Sequence, residues 1–498
     1  MAEFIDDTNR KLVPRWRSSD LTTSLGELDG PLGSPIKSYG VDDFDEKVLN
    51  WRASPTMSSA AELLAAAFVH SRLEESSEAA EFIVRYGSSR FSFLRDLALQ
   101  VVNPFGKFSP EDDQPIDKQI RSNRQILTVE PRNPLKWVDL ARNYLLIGRS
   151  RKASRAMQTA LQLAPNDRFV LRSATRLYLH LREPEKAHYV LSASEAVPND
   201  PALIGPEIAV SSLVNTTSRF MRRAIRLLES KNHSESQLSE LAAVIATEEL
   251  RHGSGRKVRQ LFARSLAQPN ENIVAQVRWA ASSTNSVLFD PRYLKVERSF
   301  EASAWTNFLS GDWHGAFVQS KNWLNDQGFS RRPASLGSFV AAVTMEDHVE
   351  AIGILRRGLL SNPNDALLLN NLAYSLACLG KSQEAEQYLQ RISIRSDDPA
   401  SESLSITKAA TTGLIEYRKG NFATGRAFYR KAVDSAITAK QDRLRARVVM
   451  FFALEEVRTG MNLSDPAIQS ALEAGEKTND PLLKLLAKRL RNFRRTGC

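Results

Sequence analysis

A beat of about 34 residues runs through most of this chain, and no other feature restricts its fold so strongly. A turn residue is followed five positions later by a small one at Gly148/Ala153, Gly311/Ala316, Glu346/Ala351, Gly380/Ala385 and Gly420/Gly425. Ala153 to Ala187 and Ala351 to Ala385 each span one full beat. Before the turns, Trp137, Leu140, Ala141 and Tyr144 fall at helical spacing, and Leu369, Leu372, Ala373 and Leu376 repeat that pattern. After them, Ala153, Met157 and Ala160, then Ala385 and Leu389, mark one face of a second helix. Prolines at 131, 165, 198, 269 and 363 close units, three of them opening a Pro-Asn-Asp run. Small residues let paired helices approach closely, and a proline ends each rod because it cannot continue a helix.

This helix–turn–helix unit resembles the tetratricopeptide repeat. The resemblance implies an all-α fold, an α-solenoid superhelix of roughly seven to nine stacked helix pairs. Residues 200–300 keep helical periodicity but lose most signature positions, and Asp290–Lys295 interrupts the array. The expected organisation is an acidic, mostly extended arm over 1–57, a helical block over 58–114 and a first array over 115–283, degenerate after about 200. An irregular connector over 284–296, a second array over 297–436 and C-terminal helices over 437–498 follow.

Gly380-Lys381-Ser382 imitates the end of a phosphate-binding loop. Such a loop needs a glycine where Ser375 stands and a strand before it, whereas Ser375–Leu379 continues a helix. Gly380 is therefore read as a repeat turn. Glu346, Asp347, His348 and Glu350 cluster at the start of a second helix, where acidic residues favour the N-terminus, so they are read as a cap and not as a metal site. With no zincin spacing, paired CxxC or EF-hand loop, the sequence offers no catalytic constellation, and no cofactor is expected.

The expected function lies in surface. The resemblance implies a concave groove, lined by the first helix of each pair, that takes a peptide or a partner protein. Val138 and Arg142, then Arg172, Arg176 and His180, lie four residues apart and project onto single helical stripes. Those arginines suit an acidic partner, because a guanidinium pairs bidentately with carboxylates. In the later half Asn370, Asn371 and Tyr374 occupy the equivalent stripe, with Asn371 placed where similar arrays hold a peptide backbone. The expected function is a non-enzymatic adaptor within a multiprotein complex.

Charge supplies the alternative. The chain carries a net +10, yet its first 130 residues are net acidic and the remainder strongly basic. Residues 220–231 and 256–264 make the middle of the array basic, so RNA binding on the basic central and C-terminal surfaces is the second reading. Phe220 and Phe262, the aromatics nearby, have the spacing of core residues. The acidic arm could also plug a basic groove. Residues 481–495 form an amphipathic basic helix suited to cap the array. Two cysteines favour a reducing compartment, and an N-terminus without an apolar core points to the cytoplasm.

Overall fold

A computed structural model describes residues 10–19, 42–69, 72–86, 92–102, 116–230, 233–250, 255–284, 286–394, 401–462 and 464–496. The chain divides into two compact units, Asp29–Pro115 and the remainder, Met1–Leu28 with Ile116–Cys498. Every regular element among the described residues is helical, and none of their helices is long and apolar enough to cross a membrane.

The smaller unit holds α1 (Asp42–Ala53), α2 (Met57–Val69), α3 (Ser77–Tyr86) and α4 (Ser92–Val102). Phe44, Trp51, Leu63, Leu64 and Ile83 form its core. Helix α1 corrects the expectation of an extended arm up to residue 57. Phe44, Val48 and Trp51 fall on one helical stripe, so coiling this stretch buries apolar surface that an extended chain would leave in water.

The larger unit is the solenoid. It runs through α5 (Ile116–Val129), α6 (Pro134–Leu146), α7 (Ser150–Leu163), α8 (Arg168–His180), α9 (Pro184–Ala193), α10 (Pro201–Leu213) and α11 (Met221–Glu229). Then come α12 (Glu235–Glu249), α13 (Gly255–Ser265), α14 (Glu271–Ser283), α15 (Phe300–Ser310), α16 (Trp313–Asp326), α17 (Arg331–Phe339) and α18 (His348–Ser361). The series ends with α19 (Ala366–Cys378), α20 (Ser382–Gln390), α21 (Ser401–Arg418), α22 (Phe422–Thr438), α23 (Asp442–Arg458), α24 (Pro466–Lys477) and α25 (Pro481–Thr496). The connector expected to be irregular contains one 3₁₀ turn, Pro291–Lys295.

The beat read from the sequence is a packing rule. Ala153, Ala187, Ala316, Ala351 and Ala385 are fully buried where the helices of a pair meet. At Gly425 the approach is closer still: a Cβ there would lie 2.6 Å from the Tyr417 ring and 3.1 Å from the Gly413 carbonyl oxygen. The turns are left-handed at Gly148 (φ 72°) and Gly380 (φ 76°). In each, the next amide reaches back to close the helix end, Arg149 to the Tyr144 carbonyl and Lys381 to the Leu376 carbonyl. Arg182, Glu346 and Lys440 adopt the same left-handed backbone without being glycine. Asp347 caps α18, its Oδ1 accepting from the Glu350 amide at 2.9 Å.

The solenoid curls until distant helix pairs meet. Ser361 Oγ donates to the Leu146 carbonyl at 3.2 Å, and a Cβ on Gly148 would lie 2.3 Å from the Leu360 carbonyl oxygen. At the far end, Leu482, Leu483, Leu486 and Leu490 of α25 are buried, while Lys484, Lys488 and Arg491 are exposed. Arg489 holds the carbonyls of Val343 and Thr344, in the π-helical turn that follows α17.

Candidate groove for an extended segment

Residues 10–19, RKLVPRWRSS, run extended through the interior of the solenoid. From Leu12 to Ser19 burial alternates with period two, the pattern of an extended chain held on one side. Pro14 reinforces this, because proline drives the preceding residue out of the helical region. Leu12 is 1% exposed and Trp16 0%. The Trp16 ring meets Phe329 at 5.6 Å between centroids, and fully burying side chains of this size contributes about 2–3 kcal/mol each. The backbone is gripped as well: Asn272 Nδ2 donates to the Val13 carbonyl at 2.9 Å.

Each basic side chain of the segment meets a carboxylate on the wall. Arg17 makes a two-pronged pair with Asp326, Nε to Oδ1 at 2.6 Å and Nη2 to Oδ2 at 2.9 Å, and reaches Glu271 at 2.9 Å. Lys11 bonds Glu248 and, at 2.7 Å, Ser212 Oγ. Arg10 meets Glu301 at 3.2 Å, and Arg15 meets the same carboxylate. Ser19 donates from its amide and its hydroxyl to Asp139, at 2.7 and 2.5 Å. These carboxylates come from α6, α12, α14, α15 and α16, so the site exists only when five helices are assembled.

The electrostatics follow from low exposure. Burial alone would raise the pKa of Glu301, but the charges of Arg10, Arg332 and Arg15 hold it well below the usual carboxylate range. Asp326 is likewise lowered, burial being outweighed by its bond to Arg17. His180 is pushed down to about 4, first by burial and then by the charge of Arg176.

The polar side chains of the helical stripe expected to face a partner find their contacts within the solenoid. Val138 and Arg142 lie on α6, and Arg142 Nη2 donates to the Asp326 carbonyl at 3.4 Å. Arg172 on α8 pairs with Glu240 at 2.9 Å and bonds the Ala202 carbonyl at 2.7 Å. Arg176 stacks over the Phe329 ring at 5.3 Å. His180 meets the same ring edge-on at 5.9 Å, its Nε2 lying 3.3 Å from the Ser361 carbonyl. Phe329 is thus the common floor of Trp16, Arg176 and His180.

The later set lies elsewhere. Asn370 and Asn371 are 0% and 1% exposed on α19, bonded to each other at 3.4 Å. Tyr374 lines a second chamber of about 130 Å³ with His348, Cys378, Arg418 and Arg489, closed by α25. Burial pushes the Cys378 thiol up to about 11, so it is a poor nucleophile at neutral pH.

Sequence reasoning missed the carboxylates and their occupant. The signal that was present is Leu12 and Trp16 interleaved with four basic residues inside an otherwise acidic head. The occupant is basic, whereas the arginine stripe had suggested an acidic one. Most of the acidic stretch of residues 1–57 lies outside the described residues or in α1. On the basic middle of the array, Arg222, Arg226, Arg256 and Arg259 are exposed, while Phe220 and Phe262 are buried in the core at 7% and 2%.

Fold and groove together define an all-α solenoid of tetratricopeptide-like helix pairs wrapped around an extended segment. Among solved structures it is similar to the human IFIT1 dimer with PPP-AAAA, at 15% identity and a TM-score of 0.37, over 76% of this chain and 95% of that one. Yeast Tom70 is similar at 11% identity and a TM-score of 0.29, over 88% and 96% of the two chains. The APC/C hetero-tetramer Cut9–Hcn1 is similar at 12% identity and a TM-score of 0.27, over 90% and 92%. No protein-family model matches the sequence, and no curated protein matches it.

Proposed function

We propose that this chain is a non-enzymatic interaction scaffold whose central groove holds an extended protein segment in which basic residues flank an aromatic anchor. One observation carries the reading: residues 10–19 already lie there, with Trp16 buried against Phe329 and Arg17 forked onto Asp326. The groove's ionisable groups are committed to holding. Glu248, Glu271, Glu301 and Asp326 each face a cation of the segment, which leaves them poorly placed for acid–base chemistry. A partner inside a larger assembly would present a similar segment and displace residues 10–19.

The experiment is selection of a random peptide library on the chain lacking residues 1–19. Enrichment of sequences with arginine or lysine flanking tryptophan is expected, lost on an Asp326→Asn, Glu301→Gln double variant. Enrichment of acidic peptides, or no consensus at all, overturns the reading.

A further inference from the structure

The second helices of four successive pairs, α7, α9, α11 and α13, keep one register. Each turns a buried anchor inward, Ala153, Ala187, Ala224 and Val258 in order, with another buried residue four positions on. A residue two positions before or after such an anchor points roughly 160° away from it, and the two share one outward stripe. Two before, the four helices place Arg151, Glu185, Arg222 and Arg256; two after, they place Arg155, Tyr189, Arg226 and Gln260. All of these are exposed. Contacts in series tie the helices together in this order. Ser194 Oγ, at the end of α9, donates to Asn166 Oδ1 beyond α7 at 2.8 Å. Arg219 Nη2, just before α11, donates to the Ser192 carbonyl of α9 at 2.6 Å. Arg264 of α13 donates to the Leu228 carbonyl of α11.

The rows are basic, and their charge is uncommitted. Among the described residues the guanidinium groups of Arg151, Arg155, Arg222, Arg226 and Arg256 make no ion pair, hydrogen bond or ring stack. Tyr189 stands between Arg155 and Arg226 in its row, 71% exposed and with no ring contact among the described residues. Charge repeated from helix to helix, at ordinary interaxial distances of about 8–10 Å, suits a polymer of regularly spaced anions and not a single phosphate. A lipid surface asks for an apolar stripe beside the charge, whereas the rows hold arginine, glutamate and glutamine around one tyrosine. An acidic protein segment would answer the charge and leave the ring in water. A nucleic acid strand answers both, with phosphates on the arginines and a base on the ring. The strand must be single, because bases stacked within a duplex are closed to the ring.

We infer that the outward face of α7, α9, α11 and α13 binds single-stranded nucleic acid. Arg151, Arg155, Arg222, Arg226 and Arg256 hold its phosphates, and one base stacks on Tyr189. None of the carboxylates that hold residues 10–19 comes from these four helices, so the surface acts independently of the groove.

The test is fluorescence anisotropy of labelled oligouridylate and oligothymidylate, each of about 15 nucleotides, titrated with the full chain over a range of salt concentrations. Saturable binding at low salt is expected with at least one of them, and the comparison of the two distinguishes RNA from DNA. Tyr189→Ala should weaken binding at least about fivefold without altering its salt dependence, while Tyr189→Phe should bind as the native chain does. The double variant Arg222→Gln, Arg226→Gln should instead flatten the slope of log Kd against log salt concentration by about 1.4. Lys484→Gln, Lys488→Gln on the exposed face of α25 should change neither quantity. All these positions are exposed, and an unchanged Tm confirms that each variant is folded. No binding at low salt, native affinity in Tyr189→Ala, or equal losses in the α11 and α25 variants each overturns the inference. So does a duplex or heparin bound as tightly as the single strand.

Discussion

His180 lies edge-on to Phe329 with its imidazole in a setting that penalises charge. The groups that act on it are Arg176, Arg182 and Arg331, all cationic, and the Ser361 carbonyl. Its folded pKa of about 4 is below the ordinary 6.5, so the unfolded chain takes up a proton first as pH falls. Stability present at neutral pH is therefore lost between 6.5 and 4, by up to roughly 3 kcal/mol. His180→Gln should flatten that slope, read by denaturant unfolding at pH 7 and pH 4.5; an unaltered slope contradicts the assignment. The carboxylates act lower. Glu301 and Asp326 are depressed in the fold, so their contribution is complete above the ordinary carboxylate range and fades only as pH drops below it. The two windows separate histidine from carboxylate.

The glycines of the turns share one backbone conformation but not one environment. Gly380 is left-handed with open space where a Cβ would stand, whereas at Gly148 that Cβ would lie 2.3 Å from the Leu360 carbonyl oxygen. Gly380→Ala should cost about 1 kcal/mol, the strain of a left-handed alanine, and Gly148→Ala at least about twice as much because α6 and α18 must part. Equal losses in thermal unfolding of the two variants would show that the ring closure is absent in solution. For residues 10–19 the anchor is Trp16. Trypsin should cut after Arg15 and Arg17 at least about tenfold faster in Trp16→Ala than in the native chain, since the segment must leave the groove to be cleaved. Identical cleavage rates would place the segment outside.

Legibility follows the same division between local and distant. The all-α solenoid was readable because a turn glycine and an alanine five residues on act within one helix pair, as at Gly380 and Ala385. The turns at Arg182 and Lys440 went unread because a left-handed residue that is not glycine carries no compositional mark. Helix α1 was hidden by its acidic opening, which looks like a solvated arm until Phe44, Val48 and Trp51 are placed on one stripe. The groove was least legible. Asp139 and Asp326 lie 120 and 309 residues from the side chains they bind, beyond any local period. The stripe of Arg142, Arg172, Arg176 and His180 carried no sign of the carboxylates that hold residues 10–19.

At the scale of the whole molecule, charge that looks segregated along the chain is interleaved in space. The solenoid, basic overall, presents Glu248, Glu271, Glu301 and Asp326 inward, and the net acidic N-terminal region contributes its one basic stretch to meet them. Burial keeps these pairs from being screened as surface pairs are, so the segment's docking should weaken only modestly between low and high salt. The most direct measurement of the central claim is calorimetric titration of a synthetic peptide, residues 10–19, into the chain lacking residues 1–19. The account predicts saturable one-to-one binding, weakened at least about a hundredfold when Trp16 is replaced by alanine in the peptide. No binding, or equal binding by the alanine peptide, would contradict it.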